Sequence, residues 1–271
     1  MIQPKISVVT VCYNAINDIE KTILSVINQT YSNIEYLIID GGSTDGTMDI
    51  INKYKDKIDV IVSEPDKGIY DAMNKGGKKA SGDYVQFLNA GDVLYDNHVF
   101  AKLFAEGIAD DVDVIYGDTI YVMTYGIFYK VPEPIQKFDV TFPIAHPSTF
   151  VKRRLFDSLE FDLKFKIAAD FKFLKTVFDN QGIFLYKCIP VTVFDSISGV
   201  SSKSVYKAWL DFNKVLGVDK YKNWRIRCLL KKNKIWLKNI VYGLFKLLNE
   251  PKFRKFCIRK QLQNNSFKLI S

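Results

Sequence analysis

Ile34-Glu35-Tyr36-Leu37-Ile38-Ile39-Asp40-Gly41-Gly42-Ser43-Thr44-Asp45-Gly46 decides how this chain folds. Its first half is an apolar run of strand length, and its second half is the glycine and small polar residues of a strand-to-helix turn. A helix over about 46–55 follows. Toward the N-terminus, Ile6-Ser7-Val8-Val9-Thr10-Val11 reads as an earlier strand, and 17–29 as a helix with Ile19, Ile23, Val26 and Ile27 on one face. Toward the C-terminus come strand Val60-Ile61-Val62, a helix over 70–80 and strand Tyr84-Val85-Gln86-Phe87-Leu88, which ends at Asn89-Ala90-Gly91-Asp92. This alternation predicts an α/β chain with a doubly wound, mainly parallel sheet flanked by helices.

Beyond residue 110 the pattern changes. Val112–Tyr116, Thr119–Val122 and the Gly126–Val131 stretch look like antiparallel additions to the same sheet, and Pro132, Pro134 and Pro143 punctuate a loop-rich passage. A helix over about 169–180 puts Phe171, Leu174 and Phe178 on one side, and Val191-Thr192-Val193-Phe194 returns to strand. Residues 206–217 begin a helical tail. The expected division is a catalytic domain over 1–205 and a basic helical tail over 206–271.

The net charge of +8 is unevenly placed. Of the 38 Lys and Arg, 15 lie in residues 220–271 beside a single acid, Glu250, which leaves 23 against 29 acids in residues 1–219. One end is therefore suited to a polyanion while the acidic body does other work. The four cysteines are scattered, without C-x-x-C spacing or a histidine partner, so neither a disulfide framework nor a zinc site is expected. The N-terminus lacks the pattern of a signal peptide, and a cytoplasmic setting is expected.

Ligands of open parallel sheets bind beyond the carboxyl ends of the strands. Here those ends are Thr10 to Asn14, Asp40 to Asp45, Glu64 to Asp66 and Asn89 to Asp92, all finishing in carboxylates or amides. Asp45 is also placed to hold the start of the next helix.

Val8-Val9-Thr10-Val11-Cys12-Tyr13-Asn14, Ile38 to Thr47 and the stretch from Asn74-Lys75-Gly76 to Asp92 resemble, in order, the motifs of the family 2 glycosyltransferases, over roughly residues 4–200. The resemblance implies the Rossmann-like type A glycosyltransferase fold. It also implies transfer of a sugar from a nucleotide-diphosphate donor, UDP-linked by preference, to a saccharide or lipid-linked saccharide in bacterial polysaccharide biosynthesis. It assigns Asp40 to the nucleotide base, with Thr10 and Tyr13 lining the same pocket. Asp66 and Asn74 fall near ribose and diphosphate, and Asn89 and Asp92 at the nucleotide sugar. Asp92 is the matched position for a divalent cation, Mn²⁺ or Mg²⁺, although two carboxylates of the usual acidic cluster are replaced in Asn89-Ala90-Gly91-Asp92. A hard cation needs only one or two protein carboxylates when substrate phosphates complete its sphere.

Asp170 matches the family's catalytic base, with helix capping as the structural alternative. A single base implies inversion at the anomeric carbon. His146, in Ala145-His146-Pro147-Ser148-Thr149-Phe150, stands as a metal ligand, a phosphate contact or a structural histidine. Residues 231–248 combine lysines with Trp236, Leu237, Ile240, Leu244 and Leu247 and are too interrupted to span a bilayer. They suit an amphipathic helix on anionic lipid, which would make residues 220–271 a peripheral contact with the inner face of the cell membrane. Packing on the catalytic domain is the alternative for that helix. Nucleic acid is not an expected partner, because the acidic body repels phosphates. A nucleotidyltransferase would carry a glycine-rich basic loop after its first strand, where this chain has Val11-Cys12-Tyr13-Asn14-Ala15. A non-catalytic scaffold that keeps the fold remains open at this point.

Overall fold

Strands β1 (Ile6–Cys12) and β2 (Ile34–Asp40) are buried along nearly their whole length, because helices cover both faces of the sheet. Alternate side chains divide between two cores. Val8 and Ile38 point toward helices α1 (Ile19–Ile27), α2 (Thr47–Lys53) and α4 (Val99–Phe104). Val9 and Ile39 point toward α3 (Ile69–Lys79) and α5 (Ala169–Asp179). The computed structural model describes residues 3–123, 126–195, 205–218 and 267–269. The basic segment expected as an amphipathic helix over 231–248 lies outside the described residues.

Strand β3 (Val60–Ser63) pairs parallel with β2, and β4 (Tyr84–Phe87) pairs parallel with β1 on its other side. The parallel half thus has the order β3-β2-β1-β4, with the direction of winding reversed between β1 and β4. Beyond β4 the sheet is antiparallel through β8 (Thr149–Lys152), β6 (Val114–Met123) and β7 (Gly126–Lys130), and β10 (Phe267–Leu269) pairs with β7. Strand β9 (Phe184–Asp195) runs parallel to β6 and holds the short β5 (Val93–Leu94) on its far side.

The two strands expected over 112–116 and 119–122 are one strand, β6. Its register against β9 shifts around Gly117, where a Cβ would stand 2.6 Å from Val191 Cγ2 and 2.8 Å from the Ile189 carbonyl. Glycine permits that close approach. At Gly76 in α3 a Cβ would meet Val9 Cγ1 at 2.3 Å, so the missing side chain sets how closely α3 lies on β1.

The segment expected to open the tail belongs to the body. Helix α6 (Val205–Val215) docks beside α5 through Phe212, whose ring lies 5.1 Å from Phe171 and 6.1 Å from Phe142. Buried Asp211 of α6 accepts the backbone N–H groups of Lys166 at 2.8 Å and Ile167 at 3.1 Å. Two charge-assisted bonds and an aromatic cluster hold this helix down. Among the described residues no helix is long and apolar enough to cross a membrane.

Candidate active site

A cavity of about 1040 Å³ opens beyond the carboxyl ends of β1 and β4, where the winding reverses and the connections diverge. Tyr13 and Asn14 after β1, Asp66 after β3 and Asn89 to Asp92 after β4 line it. His146 and Asp170 line it from the antiparallel half and the start of α5. The structure therefore gathers Tyr13, Asp66, Asn89, Asp92, His146 and Asp170 into one space.

Asp40, Thr10 and Asn74 do not reach the cavity. Asp40 is fully buried, and five donors converge on its carboxylate: Gly42 N–H at 3.1 Å, Ser43 N–H at 2.9 Å, Ser63 Oγ at 2.6 Å, Cys12 Sγ at 3.6 Å and the Ser43 hydroxyl. A carboxylate offers about four lone-pair positions, so none is left for a nucleotide base. Burial pushes its pKa up, but the donors from Ser43 and Ser63 outweigh burial and hold it below the usual carboxylate value. Asp40 thus builds the turn and is not among the residues that line the cavity. Thr10 is fully buried, with Oγ1 3.1 Å from the Tyr36 hydroxyl. The Asn74 amide is spent on Phe161, donating to its carbonyl at 2.9 Å and accepting its N–H at 2.8 Å, which ties α3 to the segment before α5.

Asp66 offers the cavity the strand-end carboxylate that Asp40 does not. A Cβ on Gly41 would stand 2.5 Å from Asp66 Oδ2 and 3.3 Å from the Tyr13 ring, so the bare glycine leaves room for both. Asp66 Oδ1 accepts the Gly68 N–H at 2.8 Å. Tyr13 is 65% exposed and offers an open ring face beside that carboxylate. A stacking ring with an adjacent acceptor is the equipment needed to hold a base that carries an imide N–H. Asn14 has φ 46, a left-handed value that asparagine tolerates. It bridges the β1 and β2 ends, donating its N–H to Ser43 Oγ at 2.7 Å and accepting the Thr44 N–H at 3.0 Å. Asp45 has the structural role foreseen for it, accepting from the Thr47 N–H at 3.0 Å and the Ile16 N–H at 3.1 Å.

At the end of β4, Gly91 has φ +106, and the Thr22 hydroxyl fixes the loop by accepting the Gly91 N–H at 3.0 Å and donating to the Asp92 carbonyl at 2.8 Å. Asp92 is 5% exposed. The Tyr121 phenol, itself in the cavity wall, is pushed up in pKa by burial and further by the negative charge of Asp92. Asn89 Oδ1 is buried and has no hydrogen-bond partner among the described residues.

Asp170 stands in the first turn of α5, one residue past Ala169. Its Oδ1 accepts the Phe171 N–H at 2.8 Å and lies 3.0 Å from the Tyr70 hydroxyl, which also reaches the Ile167 carbonyl at 2.7 Å. Burial raises the Asp170 pKa, and His146 pulls it back in part. The His146 ring is stacked on Phe87 at 5.8 Å and meets Phe161 edge-on at 5.9 Å; burial lowers its pKa. Its electrostatic neighbour is Asp170. Among the described residues no three His, Cys, Asp or Glu side chains are grouped to hold a metal.

Among the wall residues that the sequence did not single out are Tyr70, Tyr121, Lys130 and Trp209. Tyr70 meets Asp170 across 100 residues, and such partners follow from topology and not from local pattern.

The family model described as "Glycosyl transferase family 2" matches residues 7–188. A "PGL/p-HBAD biosynthesis glycosyltransferase" of Mycobacterium bovis is 30% identical over 219 residues, covering 78% of this chain and 84% of that protein. Among solved structures, residues 1–349 of S. aureus TarS in complex with UDP superpose with a TM-score of 0.60 at 21% identity, covering 78% of this chain and 65% of that one. A mannosyltransferase of Pyrobaculum calidifontis, solved with GDP-Man and Mn²⁺, gives 0.60 at 15% identity, covering 94% and 83%. The latter two carry the type A fold. With two thirds of its length matched by one family model, and with the strand-end motifs meeting in one cavity, the chain belongs to glycosyl transferase family 2 and is a glycosyltransferase.

Proposed function

We propose that this enzyme moves a sugar, with inversion, from a UDP-linked donor to a saccharide carried on an apolar anchor. The observation that carries the reading is Asp170: its Oδ1 is held by Tyr70 and the Phe171 N–H, and the residue lines the cavity that also holds Tyr13, Asp66 and Asp92. A carboxylate whose pKa is raised by burial is a better proton acceptor than one in water. The acceptor hydroxyl gives its proton to Asp170 as its oxygen bonds to the anomeric carbon. The bond from that carbon to the diphosphate breaks, and its electron pair leaves with the diphosphate. The other cavity carboxylates, Asp18, Asp66 and Asp92, come from loops at the strand ends, so no second nucleophile accompanies Asp170 on α5.

The oxygen donors at the end of β4, the Asp92 carboxylate and the unpartnered Asn89 amide oxygen, suit a hard divalent cation, Mn²⁺ or Mg²⁺. When bound there with the donor, such an ion supplies positive charge to the diphosphate. Uridine is favoured by the Asp66–Tyr13 pair, and solved relatives of the same fold hold UDP or UDP-GlcNAc. An apolar wall beside Asp170, made by Phe142, Ile144, Phe212 and Leu216, favours an acceptor with a lipid portion. A thermal-shift screen of UDP-, GDP- and dTDP-sugars with Mn²⁺ is expected to select a UDP-sugar, and NMR of the product to show the inverted anomer. Selection of a GDP-sugar, or a retained anomer, contradicts this reading.

The basic residues 220–271 suit the cytoplasmic face of an anionic membrane. The full chain should pellet with vesicles containing anionic lipid and stay in the supernatant with purely zwitterionic ones. Equal pelleting with both, or with neither, counts against membrane docking.

A further inference from the structure

The charged side chains lining the cavity among the described residues are four carboxylates, Asp18, Asp66, Asp92 and Asp170, and two ammonium groups, Lys130 and Lys166. A nucleoside diphosphate entering that space meets net negative charge, and the end of β4 carries one carboxylate where a fuller acidic cluster would gather more cation. Lys166 is exposed at the rim. Lys130 differs in being half-buried at the last position of β7, its Nζ 5.5 Å from the centre of the Tyr121 ring. Tyr121 is in turn close enough to Asp92 for that carboxylate's charge to act on its phenol. All three residues line the cavity, Tyr121 neighbouring both Lys130 and Asp92. Burial lowers the Lys130 pKa and Glu133 opposes this only in part, so the ammonium is held in a place that disfavours charge.

We infer that the Lys130 ammonium contacts the diphosphate of the donor and stabilises it as it departs, sharing with the cation at Asp92 the work of neutralising the leaving group. The electron pair released when the anomeric C–O bond breaks comes to rest on the diphosphate oxygen, and a fixed ammonium there lowers the barrier without moving a proton. The thinned acidic run Asn89-Ala90-Gly91-Asp92 fits this division, since a permanent cation in the wall reduces what the bound ion must supply.

The inference rests on the nucleotide-sugar reading above, and calorimetry on the full chain separates the two. Wild type should bind UDP with Mn²⁺. Lys130→Met should bind UDP about ten- to a hundredfold more weakly at the same Mn²⁺ concentration. Its binding of uridine, read by ligand-observed NMR, should be unchanged, and Lys130→Arg should restore most of the UDP affinity. Equal UDP affinity of wild type and Lys130→Met, or a parallel loss of uridine binding, overturns the role of Lys130 and leaves the donor reading intact. A wild type that binds no nucleoside diphosphate overturns both. Circular dichroism and Tm of Lys130→Met identify a folding defect; if one is found, Lys130→Gln and the Arg variant decide the matter.

Discussion

Asp170→Asn is expected to lower kcat by about 10²- to 10⁴-fold while leaving UDP affinity near that of wild type. Asparagine keeps the shape of the side chain and an oxygen that accepts from Tyr70 and the Phe171 N–H, but it cannot take a proton. The stability effect should run the other way. The Asp170 pKa is raised in the folded protein, mainly by burial, so the folded state binds this proton more tightly than the unfolded chain. Ionisation therefore costs stability, beginning as pH rises past the ordinary value of 3.8 and in full above the raised folded value. Removing the charge should leave Tm at neutral pH unchanged or higher, as expected where function keeps a carboxylate in a place that stability alone would not choose. In wild type the acid limb of kcat/KM should lie above 3.8, because the base must be ionised. A variant with full activity, or one that loses activity and Tm together, would reduce Asp170 to a structural residue.

Asp40→Ala should show the reverse pattern, a folding lesion and not a binding lesion. It strands the donors of Gly42, Ser43 and Ser63 around a buried hole, at a cost of about 3 kcal/mol or more. For a chain of this size that corresponds to a fall in Tm of about 6–12 °C. Acid should act in the same direction. The Asp40 pKa is depressed in the folded state, so its contribution is present above the ordinary 3.8 and is lost as pH falls through the lower folded value. Asp66→Asn is the counterpart: it keeps an oxygen for the Gly68 N–H, should barely move Tm, and should weaken UDP binding about tenfold or more. Paired calorimetry and thermal denaturation of the two variants test the exchange of roles. Intact UDP binding in Asp66→Asn would return base recognition to another group.

The exchange also shows what was legible in the sequence. The pattern Ile34 to Asp40 located a strand end and its ligand-facing edge correctly, since alternation and turn chemistry act within a few residues. It could not show which way Asp40 rotates. That depends on Ser63, which faces Asp40 only because β3 lies beside β2, and on Gly41, whose missing side chain matters only once Asp66 lies over it. Helices α1, α2, α3, α5 and α6 were likewise readable from apolar spacing, whereas α4 and β8 were not; β8, a four-residue strand inserted between β4 and β6, draws its stability from its neighbours. Asp92 and Asp170 were singled out through the family resemblance, and both line the cavity. Tyr70 and Lys130 join them through contacts set by the closed fold.

Helix α6 is pinned by Asp211 to the residues just before Asp170, and the chain passes through Leu216 in the cavity wall to Val218 before its first tail cations, Lys220 and Lys222. Four residues of fully extended chain reach at most about 14 Å. Lys220 therefore lies within that distance of Leu216 in the cavity wall. On the membrane-docking reading proposed above, an acceptor with an anionic headgroup held by those cations would meet Asp170 at an effective local concentration set by that short reach instead of by its abundance in the membrane.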